Sequence, residues 1–137
     1  PTWNYAVRSS ALVSLLDIPS TILSAAGLDI PESYQGIDLC RGIFDEDWVP
    51  DRNYLYSEQK PLGAFHGEVD WRMITDNRWK YIWNNGDINE LFDLSVDPGE
   101  TNNLAGKQLF TKVQSEYRDA LGTWMRDTRD PLAEVYD

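Results

Sequence analysis

The first apolar run of the chain, Leu12 to Leu16, breaks at Asp17 and resumes past Pro19. Asp17 is suited to accept a backbone N–H as an N-cap, and Pro19 is tolerated in a first helical turn whose N–H groups lack partners anyway. Gly27 suits the left-handed position that closes a helix. This spacing predicts a short helix over residues 19–26, followed by an extended connector around Pro31 and Gly36. The stretch DEDWVPDR, charged and interrupted by Pro50, reads as a surface loop.

The middle of the chain alternates with a period of two, as strands do. NYLYSEQ carries Tyr54, Leu55 and Tyr56; VDWRMIT sets Trp71, Met73 and Thr75 against Arg72 and Ile74; RWKYIWN sets Trp79, Tyr81 and Trp83 against Lys80 and Ile82. INELFDL reads as a fourth strand. The connections are short: DNR at 76–78 is a polar turn, and NNGD at 84–87 holds an Asn-Gly pair of the kind that favours a tight hairpin. Parallel strands need connections of a dozen or more residues, so these four form an antiparallel meander.

Beyond residue 106 the period changes again. Leu109, Val113, Tyr117, Leu121 and Trp124 recur at steps of three and four, marking one face of a long helix, with Lys112, Glu116, Arg118 and Asp119 toward water. Pro131 ends it by disfavouring helical geometry at Asp130. The fold class is therefore α+β: a four-stranded antiparallel sheet packed against a long C-terminal helix, preceded by a short helix and an extended connector. Residues 1–50 read as a connecting segment and 51–137 as the sheet-and-helix subdomain.

Between the fourth strand and the long helix lies SVDPGETNNLA. Pro98 presets the first central position of a turn, and Gly99 supplies the positive φ that a type II turn takes next. Asp93, Asp97 and Glu100 lack the alternate-position ligands and closing Glu of a calcium loop. The acids here shape the backbone.

Composition narrows the function. At 137 residues the chain suits one domain, able to bury roughly 70% of the surface of its unfolded form. With 23 acidic against 12 basic side chains, a net charge of -11 argues against nucleic acid and anionic membranes, which are bound by cations. No window approaches the roughly 18 continuous apolar residues of a membrane helix. Cys40 is the sole cysteine, which leaves no intrachain disulfide and no cysteine metal cluster. The first residue is Pro, without an initiating Met or the plan of a signal peptide, as expected of a piece of a longer protein.

ELFDLSVDPGETNNLA resembles the C-terminal signature of the sulfatase family, an ELYDL strand, a DPxE turn and an NLA close. LVSLLDIPSTILSAAGLDIPESYQGIDL is similar to the family's apolar run, Asp, Pro-Thr pair, helix ending in Ala-Gly and Gly-x-Ser-Leu. WRMITDNRWKYIWN resembles its Arg-containing strand followed by a Lys-Tyr strand, and DTRDP its frequent ending. These matches follow in family order from Leu12 to Pro131. Asp38 stands where the family favours Ser, and Ser20 separates Pro19 from Thr21.

The resemblance implies a parent enzyme that hydrolyses sulfate esters or sulfamates, on carbohydrate among other substrates, with this chain as the C-terminal subdomain beside an N-terminal catalytic domain. It also implies that the parent uses a calcium-like divalent metal and a formylglycine made from Cys or Ser within C/S-x-P-x-R. That motif is absent here: Cys40 is followed by RGIF. Neither cofactor is expected on this chain, and the positive sulfate ligands are expected from the preceding region.

The resemblance further implies that such a subdomain lines one wall of the substrate cleft, which directs attention to SEQKPLGAFHGEVDWR. His66, between Gly63 and Gly67, can donate to a sulfate or sugar hydroxyl or move a proton near neutral pH, or it can be a solvated loop residue. Glu58 can accept from a sugar hydroxyl or be an exposed strand-end carboxylate. Arg72 can meet an anion or pair with an acid across the strand. Trp71, Trp79 and Trp83 can face sugar rings or form core against the helix. Two other readings stand beside the sulfatase one: an aromatic-faced binding module without catalysis, and the same subdomain on a related phosphonate or phosphate ester hydrolase.

Overall fold

The structure, a computed structural model, describes residues 9–45, 48–60 and 70–136. The chain divides into two compact units between Leu55 and Tyr56.

In the first unit, α1 spans Asp17–Ala25 and α2 spans Cys40–Phe44. Asp17 is the first helical residue rather than the cap. The N-cap is Leu16, which makes no side-chain cap bond. The Asp17 carboxylate instead accepts the N–H of Ser14 at 2.7 Å and of Ile37 at 2.8 Å, and Arg52 grips both its oxygens at 2.7 Å. Burial opposes this charge, but the Arg52 fork and the two backbone donors outweigh it and hold the Asp17 carboxyl down to about 2. At the other end, Gly27 at φ +71° closes α1, with Leu28 N–H reaching Leu23 O and Gly27 N–H reaching Ser24 O.

The faces of α1 are inverted relative to a surface helix. Its buried residues are Asp17 and Ser20, knitted to the connector: Ser20 Oγ donates to Gly36 O, Ser24 Oγ to Asp38, and Leu39 N–H donates to Thr21 Oγ1. Leu15, Ile18 and Ile22 are exposed. The connector runs so close that a Cβ on Gly36 would sit 1.8 Å from the Leu16 carbonyl oxygen.

The second unit is built on a four-stranded antiparallel sheet in the order β1-β2-β3-β4, with β1 at Leu55–Gln59, β2 at Trp71–Thr75, β3 at Trp79–Asn84 and β4 at Glu90–Asp93. Asp76 turns β2 into β3 by accepting the N–H groups of Arg78 and Trp79 at 2.6 Å. The Asn-Gly turn is present, with Gly86 at φ +83°, but the fourth strand starts two residues later than INELFDL suggests. Asn84 N–H donates to the Asn89 side chain and Asn84 Nδ2 to Ile88 O, so side-chain bonds replace the first ladder rungs.

Register decides the faces. Arg72 lies opposite Trp83, and Ile74 opposite Tyr81, which in turn lies opposite Leu91. Trp71 lies opposite Asn84, on the other side of the sheet from Trp79 and Trp83. The three tryptophans therefore do not share one core face.

A 3-10 turn at Gln108–Phe110 leads into α3, Thr111–Asp127, which packs on β2 and β3. Tyr117, Leu121 and Met125 are buried against Ile74, Tyr81 and Leu91 in one core, each full burial stabilising the fold by roughly 1.5–3 kcal/mol. Leu109 belongs to the 3-10 turn and is exposed, while Met125 takes a core position that the predicted stripe lacks. Trp124 stacks on Tyr56 with ring centroids 4.8 Å apart.

Pro131 does not end α3. Arg129, at φ +56°, takes the left-handed position; its N–H bonds Arg126 O and the next N–H, of Asp130, bonds Met125 O. A short helix α4, Ala133–Tyr136, follows and seats Tyr136 edge-on against Trp83 at 5.0 Å. In the turn before the 3-10 segment, Glu100 rather than Gly99 has positive φ, at +54°. Glu100 N–H bonds Asp97 O, and the Asp97 carboxylate accepts Thr101 and Asn102 N–H, so the acid anchors the turn that the Pro-Gly pair opens. Asn103 Oδ1 accepts Leu91 N–H, and Leu104 N–H donates to Leu91 O, which pairs this segment with the edge of β4.

Candidate functional site

Of the three candidate site residues, Glu58 and Arg72 come together and His66 lies outside the described residues. Arg72, second in β2, points to the helix side of the sheet and is fully buried. A buried guanidinium requires carboxylates or carbonyls around it. Asp130 supplies two oxygens, to Nε at 2.5 Å and Nη2 at 3.1 Å; Asp70 accepts from Nη1 at 2.7 Å. The carbonyls of Trp71 and Gln59 accept from the same Nη1 at 2.9 and 3.3 Å. Glu58 Oε2 stands 3.4 Å from Nε.

The partners arrive from three places: Glu58 and Gln59 from the end of β1, Asp70 and Trp71 from the start of β2, and Asp130 from beyond α3. Burial works against both charges of the central pair, yet their hydrogen bonds dominate: the Asp130 carboxyl is held below its usual range and the Arg72 pKa is raised. Arg72 does pair with acids, though its bidentate partner comes from the segment after α3 and not from a neighbouring strand. The carboxylates differ in access: Asp130 is 2% exposed, Asp70 23% and Glu58 48%. Glu58 can thus meet both Arg72 and a ligand from solvent.

Asp70 and Asp130 were not singled out by sequence reasoning. The available signal for Asp130 is DTRDP, in which an acid directly precedes Pro131. The acids of the DPGE turn are engaged locally: Asp93 with Arg78 at 3.0 Å, Asp97 with backbone N–H groups, and Glu100 with Lys80 at 2.7 Å. Among the described residues no group of three or more His, Cys, Asp or Glu is placed to hold a metal ion, and no helix is long and apolar enough to cross a membrane. Cys40 Sγ donates to Thr21 O at 3.4 Å, and burial pushes its thiol pKa up, the reverse of what a nucleophile needs.

Comparison with known proteins agrees with this architecture. Residues 3–127 match the family model described as N-sulphoglucosamine sulphohydrolase, C-terminal. The chain is 30% identical over 121 residues to the Delta 4,5-hexuronate-2-O-sulfatase of Bacteroides thetaiotaomicron, covering 84% of this chain and 24% of that protein. It is 36% identical over 118 residues to arylsulfatase K of Xenopus laevis, covering 77% of this chain and 21% of the other. A solved structure of a protein in complex with its substrate D-glucosamine-2-N,6-O-disulfate superposes with a TM-score of 0.73 at 29% identity, covering 83% of this chain and 24% of that one. The chain spans about a quarter of the length of the relatives it matches. From strand order to terminal turn, then, the sheet and its helix are those of a sulfatase C-terminal region, and the chain belongs to the N-sulphoglucosamine sulphohydrolase C-terminal family.

Proposed function

We propose that the protein of which this chain is the C-terminal part hydrolyses sulfate esters or sulfamates on carbohydrate, and that this chain forms one wall of its substrate cleft. The family match over residues 3–127 carries the reading, and relatives named for hexuronate and N-acetylglucosamine sulfates support the carbohydrate class. Glu58 and His66 are the wall residues that would accept from and donate to sugar hydroxyls or sulfate, with Arg72 behind Glu58. The main partner is the N-terminal catalytic region, to which the exposed apolar side chains of α1 offer a contact surface.

A divalent metal and formylglycine are the family's cofactors. The described residues do not fit either: no acidic group is arranged for a metal, and Cys40 lacks the Pro and Arg that follow a convertible cysteine. Both would belong to the preceding region, so the chemistry that breaks the sulfur–oxygen bond is not assigned to any residue here.

The test is steady-state kinetics of the full-length protein on sulfated mono- and oligosaccharides. Glu58→Ala and His66→Ala should each raise KM by about tenfold, the loss of one hydrogen bond to a charged group, with little change in kcat. Unchanged kinetics across the panel removes that residue from the wall.

A further inference from the structure

The first unit lacks an apolar core of its own. Among the described residues every buried Leu, Ile, Met, Phe and Tyr lies in the second unit, whereas the residues that α1 buries are Asp17 and Ser20. Asp17, Ser20, Thr21 and Ser24 share the side of α1 that bonds the connector. The opposite side carries Ile18 and Ile22, one turn apart, and Leu15 continues the stripe just before the helix; Leu15 is 83% exposed and Ile22 62%. Next to this stripe, Leu16, Pro19 and Tyr34 line an open groove of about 290 Å³. A surface helix turns its apolar stripe inward. Here the polar stripe is already bonded to the connector, so no rotation of α1 hides the apolar one, and an exposed apolar patch of this kind marks an interaction surface.

We propose that α1 and its connector form an outer layer of the preceding region of the full-length protein: Leu15, Ile18 and Ile22 enter that region's core, and one of its apolar side chains fills the groove at Leu16, Pro19 and Tyr34. This rests on the reading of the chain as the C-terminal part of a longer sulfatase and names the contact that holds the two parts together. Two observations select the occupant. The chain covers 24% of the hexuronate sulfatase it matches, so most of such a protein lies outside it and meets this face at the high effective concentration of a tethered partner. A second copy of the chain is opposed by charge, since each carries -11. The stretch from Leu12 to Asp38 then belongs to the fold of the preceding region and is not a linker.

Hydroxyl-radical footprinting of the wild-type full-length protein, at a concentration where sedimentation shows a monomer, reads this face without any substitution. Leu15, Ile18 and Ile22 should oxidise at least about tenfold more slowly in the native protein than in urea, as side chains packed in a core do. Native rates within about twofold of the urea rates, those of side chains open to water, overturn the proposal, as does protection that appears only when the protein dimerises. The photo-crosslinker p-benzoylphenylalanine in place of Ile22 then identifies the occupant. Crosslinks should reach peptides of the same chain outside these 137 residues; crosslinks between two chains, or to the sheet and helix of the second unit, overturn it. Sulfate release by the same preparation keeps the two readings apart. Protection without release removes the sulfatase reading and leaves the docking, and release without protection does the reverse.

Discussion

Replacing Asp17 by Asn keeps the shape of a side chain that is fully buried but removes the charge that Arg52, 14% exposed, is folded around. Four donors converge on this carboxylate: two guanidinium nitrogens and the N–H groups of Ser14 and Ile37. Its pKa of about 2 against an ordinary 3.8 corresponds to roughly 2 kcal/mol of stability. The folded value lies below the unfolded one, so this stability is present above pH 4 or so and is lost as pH falls toward 2. Asp17→Asn should therefore cost about 2–3 kcal/mol at pH 7, leaving Arg52 without its partner. The gap to wild type should narrow to about half near pH 3 and to about a sixth as pH falls to 2. Urea denaturation from pH 7 to 2 measures the gap. The amide resonances of Ser14 and Ile37 follow the protonation of the carboxylate they donate to, with a midpoint near 2. A midpoint at or above 3.8, or a cost below about 0.5 kcal/mol at pH 7, would refute the reasoning.

Two further substitutions probe packing. Gly36→Ala places a Cβ 1.8 Å from the Leu16 carbonyl oxygen, a backbone atom that cannot rotate away, and should cost about 3 kcal/mol or more in a urea melt; a cost under about 1 kcal/mol would show that the connector moves aside freely. Tyr117→Phe removes a hydroxyl that donates to Asp76 Oδ2 at 2.5 Å and should cost about 1.5–2 kcal/mol, the usual range for a hydrogen bond to a charged group; an unchanged melt would mean that water replaces it.

Much of the second unit was legible because period-two alternation and short polar turns constrain a meander tightly. Its facing was not: aromatic residues occupy both sides of β2 and β3, and only the pairing of Arg72 with Trp83 decides that Trp71 leaves the helix side. The sequence leaves Arg72 open between meeting an anion and pairing with an acid across the strand, because its bidentate partner Asp130 is 58 residues away and is delivered by a left-handed arginine, a conformation with no sequence signal outside Gly and Asn. The inverted faces of α1 were hidden for a similar reason. Its serines and threonine meet backbone groups of the connector, a long-range pairing that helical periodicity does not encode. For the site, the sequence offers Glu58 and Arg72 as separate candidates, and their approach to 3.4 Å and the pairing of Arg72 with Asp130 emerge only in the tertiary structure. The positive φ at Glu100 rather than Gly99 shows the same limit at short range, since Asp97 can anchor either turn geometry through its carboxylate.

The most direct measurement of the central claim is inorganic sulfate released from sulfated saccharides and an aryl sulfate, in the presence of calcium, by the 137-residue chain and by the full-length protein side by side. The account predicts release by the full-length protein, a rise in its KM on Glu58→Ala, and none by the chain alone. Metal-dependent turnover by the isolated chain, or a full-length protein that releases no sulfate from any of these substrates, would contradict it.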